Sequence, residues 1–413
     1  MSTGTPASRC PLCGTVMESP FVVRAGVPAL QNVLLSTAAD ARAIERGDLR
    51  VARCPSCDFV ANTAFDPGLV VYGDDYDNLQ VHSPFFEGYV DTLVDRLVSD
   101  GVRGVRVVEV GCGNGDFLRR LCERGGNTGV GFDGAYRGPE HPAPGVWFVK
   151  DFYGPRWSHV PADVVVCRHV IEHVPRPLDL LRDVRAAVEG RDARVVFETP
   201  AVEWILEHGV FHDFFYEHCS YFSERSLPAA MEAAGFEATR VERLFGGQYL
   251  WVEARVAPAP GPPVVAASLG RSVEHFRIRD ADELARAAAH LGAMASKGRV
   301  AVWGAGAKGV TFLNLLDPGG SQIDCVVDVN PAKQGRFVAG TGHPIVPPGE
   351  LVARGVEHVV VMNPNYLDEC AATARAVGAV VTFSTQDGGW ADVAMRLEVE
   401  PVPAVLPGAG MQD

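Results

Sequence analysis

Val107–Gly115 reads VVEVGCGNG, and few patterns restrict a fold more tightly. The apolar half suits a buried strand. Glycines at 111, 113 and 115 permit a tight turn and let a ligand approach the backbone. Phe117–Glu123 then reads as a helix, and free N–H groups at a helix start attract polar or anionic groups. The alternation continues on both sides. Phe85–Val98 and Leu178–Val188 read as helices, and Val105–Val110, Thr128–Phe132, Val146–Val149, Asp163–Cys167 and Arg194–Glu198 as strands. Such alternation predicts a parallel sheet covered by helices. GFEATRVERLFGGQYLWVEA then resembles a hairpin closing the sheet.

A second alternating unit follows. Ile278–Met294 reads as a helix, then Arg299–Trp303, Ile323–Val329, His358–Met362 and Ala379–Phe383 as strands. Ala257–Pro263, APAPGPP, reads as a stiff linker, because proline blocks both helix and ladder pairing. At 413 residues the chain exceeds one ordinary core. The expected division is 1–75, 76–256, a linker at 257–270, 271–400 and a frayed tail at 401–413.

A formal charge of −14 argues against nucleic acid as partner, since phosphate backbones call for a basic surface. No apolar run approaches the ~20 residues of a membrane span. The N-terminus lacks the charged and apolar regions of a signal peptide. The expectation is a cytoplasmic protein, monomer or dimer, acting on a small molecule. Cysteines there stay reduced. Cys10 and Cys13 form one CxxC pair, Cys54 and Cys57 another. Two such turns give the four soft ligands of a closed zinc tetrahedron with no vacancy for water, hence a structural site.

The Glu109-Val-Gly-Cys-Gly-Asn-Gly115 loop departs from the dinucleotide GxGxxG and resembles motif I of class I S-adenosylmethionine (SAM) methyltransferases. The resemblance implies cofactor contacts from Glu109, Gly111, Gly113 and Gly115. It places Asp133, in GVGFD, at the ribose and Asp151-Phe152 at the adenine. Cys167-Arg-His-Val-Ile-Glu-His-Val174 matches the end of the fourth strand in such enzymes, with His169 beside the cofactor.

Downstream the chain reads FHDFFYEHCSYFSERSL from Phe211 to Leu227. The order of zinc knuckle, SAM core, aromatic and histidine-rich insert and second Rossmann-like domain resembles the sugar C-methyltransferases. That family implies an α/β chain: a class I core, a small N-terminal zinc domain and a C-terminal Rossmann-like domain. It implies methylation of the carbon beside the ketone of a nucleotide-linked deoxy sugar. The family signature Y-x-E-H falls on Phe215, Tyr216, Glu217 and His218. His218 is then the general base, Glu217 a group that orients that base or contacts substrate, and His173 a holder of the enolate oxygen. Phe215 stands where the family has tyrosine. Tyr76, His82 and Tyr216 are substrate-binding candidates, although Tyr216 should point elsewhere. The chemistry asks for such groups. A C–H beside a carbonyl is a weak acid, and its removal needs a positioned base and donors where the oxyanion grows.

Gly304-Ala-Gly-Ala-Lys-Gly309 fits GxGxxG, with Asp328 about 20 residues on, as in a dinucleotide fingerprint. The following D-x-N-P-x-K-x-G resembles instead the C-terminal domain of the same sugar enzymes. There the loop is a phosphate cradle, with Lys308 and Asn363 as substrate contacts. Rival readings are a non-sugar acceptor, a methyltransferase fused to an NAD(P)-dependent domain, and a scaffold with a vestigial SAM site.

Overall fold

A computed structural model describes residues 8–73, 75–257, 269–386 and 391–393. Most of the expected linker and all of the expected tail lie outside the described residues.

The central sheet has seven strands. Arg106–Val110 lies inside it, with Thr128–Phe132 and Val146–Val149 on one side. Val164–Arg168 and Arg194–Pro200 lie on the other side, followed by the hairpin Tyr249–Val256 and Phe236–Leu244. Five strands are parallel, and the hairpin adds an antiparallel edge. This is a class I methyltransferase sheet. Val164, Val165 and Val166 are all buried, as strands covered on both faces require. The helix Pro84–Ser99 starts where its chemistry says it should. Ser83 accepts from Phe86 N at 3.2 Å, and Pro84 occupies the first turn. Its Phe86, Val90, Leu93, Val94 and Leu97 form the buried stripe.

The C-terminal sheet is Rossmann-like. Arg299–Trp303 pairs in parallel with Ile323–Val327 on one side and Val356–Val361 on the other. The strand order therefore reverses beside Arg299–Trp303, the place where open α/β sheets form a crevice. The preceding helix runs Gly270–Ala295, eight residues earlier than the sequence pattern suggests.

A smaller antiparallel sheet carries the cysteines beside it: Val22–Pro28, Arg46–Arg53 and Val60–Asn62. Its fourth strand, Ser220–Tyr221, comes from the insert after the fifth core strand. One buried cluster runs through all three regions, from Phe59 through Phe197 and Phe222 to Phe312. The insert is thus clamped between the small sheet and the core.

Candidate active site

The glycine loop is held by neighbours at its ends and open at its middle. Gly111, Gly113 and Gly115 all have positive φ, +70°, +54° and +78°. A Cβ on Gly111 would lie 2.0 Å from Val170 Cγ2, and one on Gly115 2.2 Å from the Phe148 ring. Among the described residues, a Cβ on Gly113 would meet nothing within 4 Å. Packing therefore demands glycine at 111 and 115, and the space beside Gly113 suits a ligand. Asp133 anchors the loop, accepting from Gly113 N at 2.9 Å and Ala135 N at 2.8 Å. Burial raises its pKa.

Glu109 sits beneath the loop. Burial lifts its pKa to about 8 against the opposing charge of Arg168, and among the described residues Oε2 has no hydrogen-bond partner. An unmatched buried acceptor beside an open glycine fits a ligand with cationic or N–H groups, as SAM has. Asp151 accepts from Phe152 N, Arg156 Nη1 and Trp157 Nε1 at 2.9–3.0 Å. Phe152 is 68% exposed, and its ring leans over Gly134, where a Cβ would meet it at 2.6 Å. An aromatic face beside Asp133 is ready for a flat ring. His169 follows the fourth strand at φ +54°, a costly backbone for a non-glycine residue. Its Nδ1 is 3.5 Å from Glu172 Oε1, and its ring meets Tyr249 edge-on at 4.5 Å.

The insert turns Glu217, His218 and His173 toward one another. Tyr76 donates to Glu217 Oε2 at 2.7 Å, and Gln31 N donates to Oε1. Burial raises the Glu217 pKa, opposed by His173 and by these hydrogen bonds. The His218 ring lies 4.0 Å from Phe215 and 4.7 Å, edge-on, from His173. Burial holds His218 well below the usual imidazole range, so it is neutral, and among the described residues its Nδ1 has no hydrogen-bond partner. His173 Nδ1 is 2.9 Å from the Tyr72 hydroxyl and 3.1 Å from Glu217 O. Glu172, buried beside them, accepts from Thr199 at 3.0 Å. The cluster is a neutral base with a free ring nitrogen, a carboxyl group held by a phenol, and a second imidazole.

The other candidates lie elsewhere. Tyr216 turns to the small sheet, where its hydroxyl accepts from Asp66 N at 2.8 Å and its ring packs on Phe65 and beneath Gly47. His82 is exposed, one residue before the Ser83 cap. Lys308 pairs with Asp213 at 2.9 Å, and Asn363 exchanges amide hydrogen bonds with Gln248 at 2.8 and 3.0 Å. Sequence reasoning missed Tyr72. Its signal was the spacing of Tyr72 and Tyr76 in YGDDYDN, just ahead of the core's first helix.

In the C-terminal sheet, Asp328 accepts from Ala305 N and Asn330 N, each at 2.8 Å. Asp133 makes the same pair of backbone contacts in the core. Lys333 Nζ donates to Ala305 O and to Asn32 Oδ1, and Asn330 donates to Asp77. The small N-terminal region thus closes over this loop.

The four cysteine sulfurs converge. Cys10 and Cys57 are 3.5 Å apart, Cys13 and Cys54 3.4 Å, and all four lie within 4.8 Å of one another. Thiolates ~2.3 Å from a tetrahedral zinc are about 3.8 Å from each other, so the set fits that ion.

Two family models match parts of the chain. Residues 85–241 match a methyltransferase domain family, and residues 274–382 match the C-methyltransferase C-terminal domain family. The C-methyltransferase NovU of Streptomyces niveus is 27% identical over 307 residues, covering 68% of this chain and 71% of that protein. Magnesium protoporphyrin IX methyltransferase of Synechocystis, solved with bound SAH, is 17% identical with a TM-score of 0.33, covering 42% of this chain and 84% of that one. The 1,6-didemethyltoxoflavin-N1-methyltransferase of Burkholderia thailandensis gives 18% and 0.31, covering 43% and 87%. Likeness at that level adds nothing about substrate.

Proposed function

We propose, for a chain that belongs to the SAM-dependent C-methyltransferases carrying the C-methyltransferase C-terminal domain, methylation of the carbon beside the ketone of a nucleotide-linked deoxy sugar. The observation that carries this reading is the free Nδ1 of a neutral, buried His218 beside Glu217 and His173. SAM, when bound, supplies an electrophilic methyl group. His218 takes the proton from the carbon beside the ketone, leaving an enolate. Glu217, fixed by Tyr76 and Gln31, and His173, edge-on to the His218 ring, orient the base. The insert closes the site from water, so each hydrogen bond to the growing charge acts in a poorly screened place.

Glu109, the glycine loop, Asp133, Asp151, Phe152 and His169 are the cofactor contacts in this reading. Cys10, Cys13, Cys54 and Cys57 hold a structural zinc. The working units are residues 1–75, 76–256 and 271–400. Among the described residues, no helix is long and apolar enough to cross a membrane.

The test is proton exchange. In heavy water, without SAM, the enzyme should exchange the α-proton of a 4-keto-6-deoxy sugar nucleotide. His218→Asn should stop exchange while SAM still binds. Exchange that persists in this variant removes His218 as the base. Methyl transfer to non-sugar ketones only, in a panel read by mass spectrometry, replaces the sugar with another carbon acid.

A further inference from the structure

The cluster contains more phenols than its chemistry has used, and their protons can be counted. Tyr76 donates to Glu217. Tyr221 donates to Phe215 O at 3.1 Å and accepts from Phe215 N. Tyr216 accepts from Asp66 N and donates to Asp66 O. Tyr72 differs, because its hydroxyl faces the same ring nitrogen, His173 Nδ1, that approaches the backbone carbonyl of Glu217 at 3.1 Å. A carbonyl oxygen only accepts. Its approach is favourable when Nδ1 carries a proton, and that N–H is then shared between Glu217 O and the Tyr72 oxygen. Tyr72 is the acceptor in this pair, and its own proton remains to be donated. In the neutral ring, Nε2 of His173 is then a bare lone pair that cannot donate to an oxyanion.

We propose that Tyr72 is the hydrogen-bond donor to the substrate oxygen that gains charge, with His173 holding the phenol in place through Nδ1–H. The inference rests on the enolate reading above. The phenol keeps its proton throughout, while the carbon-bound proton goes to His218. Burial and the Glu217 carboxyl push the Tyr72 pKa well above the ordinary phenol value, so the donor persists at any working pH. The T-shaped contact with Tyr76, 4.8 Å between ring centres, places Tyr72 beside the residue that fixes Glu217.

Two measurements test this. Nitrogen-15 NMR of His173 in the full-length protein should show Nδ1 protonated. A bare Nδ1 means that the phenol spends its proton on the ring, and overturns the proposal. Tyr72→Phe should slow α-proton exchange of the keto-sugar nucleotide by ~10²–10³-fold, the loss typical of one oxyanion donor, with SAM affinity unchanged. A variant within threefold of wild type overturns the proposal and leaves the enolate reading standing. A wild-type enzyme that exchanges no α-proton overturns the enolate reading and this assignment with it.

Discussion

Lys308 Nζ lies 2.9 Å from Asp213 Oδ2, joining the glycine loop of the C-terminal sheet to the insert of the methyltransferase core. The same amine donates to Gln248 at 3.1 Å and sits 4.6 Å from the centre of the Trp204 ring. All three partners belong to the core. Lys308 is therefore a clasp between the two units, which ties the C-terminal domain to the elements that shape the site.

Removing the clasp has a definite cost. Lys308→Met leaves the Asp213 carboxylate mostly buried and unpaired, which destabilises by on the order of 3 kcal/mol. The expected result is a lower urea midpoint with unchanged SAM affinity. The double variant Lys308→Met/Asp213→Asn should recover most of the loss. An unchanged midpoint in the single variant would mean that the pair contributes nothing.

Local causes made much of this fold legible. The strand Thr128–Phe132 and the helix after the glycine loop follow from nearby valines, glycines and caps. What escaped depends on distant partners. Ser220–Tyr221 is too short for an alternating pattern and is a strand because Val60 and Ala61 pair with it. Tyr72 meets His173 across about a hundred residues, which no local signal encodes. Tyr216 is expected to point away from Glu217 and His218, but its partner, Asp66, is 150 residues distant and was not foreseen. The helix before the C-terminal sheet begins at Gly270, and neither that glycine nor its polar neighbours announce a start.

The middle glycine of the loop offers a clean separation of binding from folding. Gly113→Ala meets no atom of the described residues within 4 Å but must adopt φ +54°. The backbone strain costs about 1 kcal/mol, and the new methyl group enters the space assigned to SAM. SAM affinity measured by calorimetry should fall more than tenfold with a small change in thermal stability. Gly115→Ala should instead unfold the protein, because its Cβ would collide with Phe148. Equal behaviour of the two variants would contradict this division.

The cysteines should act on stability alone. Metal analysis is expected to find one zinc per chain, and a strong chelator should lower the unfolding temperature. Cys54→Ser removes one of four converging thiolates. It should lose the metal and loosen the small sheet, while SAM binding by the folded fraction persists. A selective loss of methyl transfer in stable, zinc-free protein would move the knuckle into the chemistry.

Glu109 makes the unliganded protein pH-sensitive in a predictable direction. Its pKa is raised from 4.5 to about 8 by burial, with Arg168 opposing. A carboxyl group raised on folding is protonated in the folded chain where the unfolded chain has already ionised. The folded state then holds the extra proton between about pH 4.5 and 8. The stability this group contributes is full below 4.5 and is lost as the pH rises toward 8, on the order of 5 kcal/mol in all. Glu109→Gln keeps the shape and cannot titrate, so its stability should be flatter across that window. A cationic ligand beside Glu109 favours the carboxylate, so SAM binding at pH 7 should release protons in wild type and not in Glu109→Gln. Calorimetry in buffers of different ionisation enthalpy reads that release. Equal buffer dependence in the two proteins would separate Glu109 from the cofactor site.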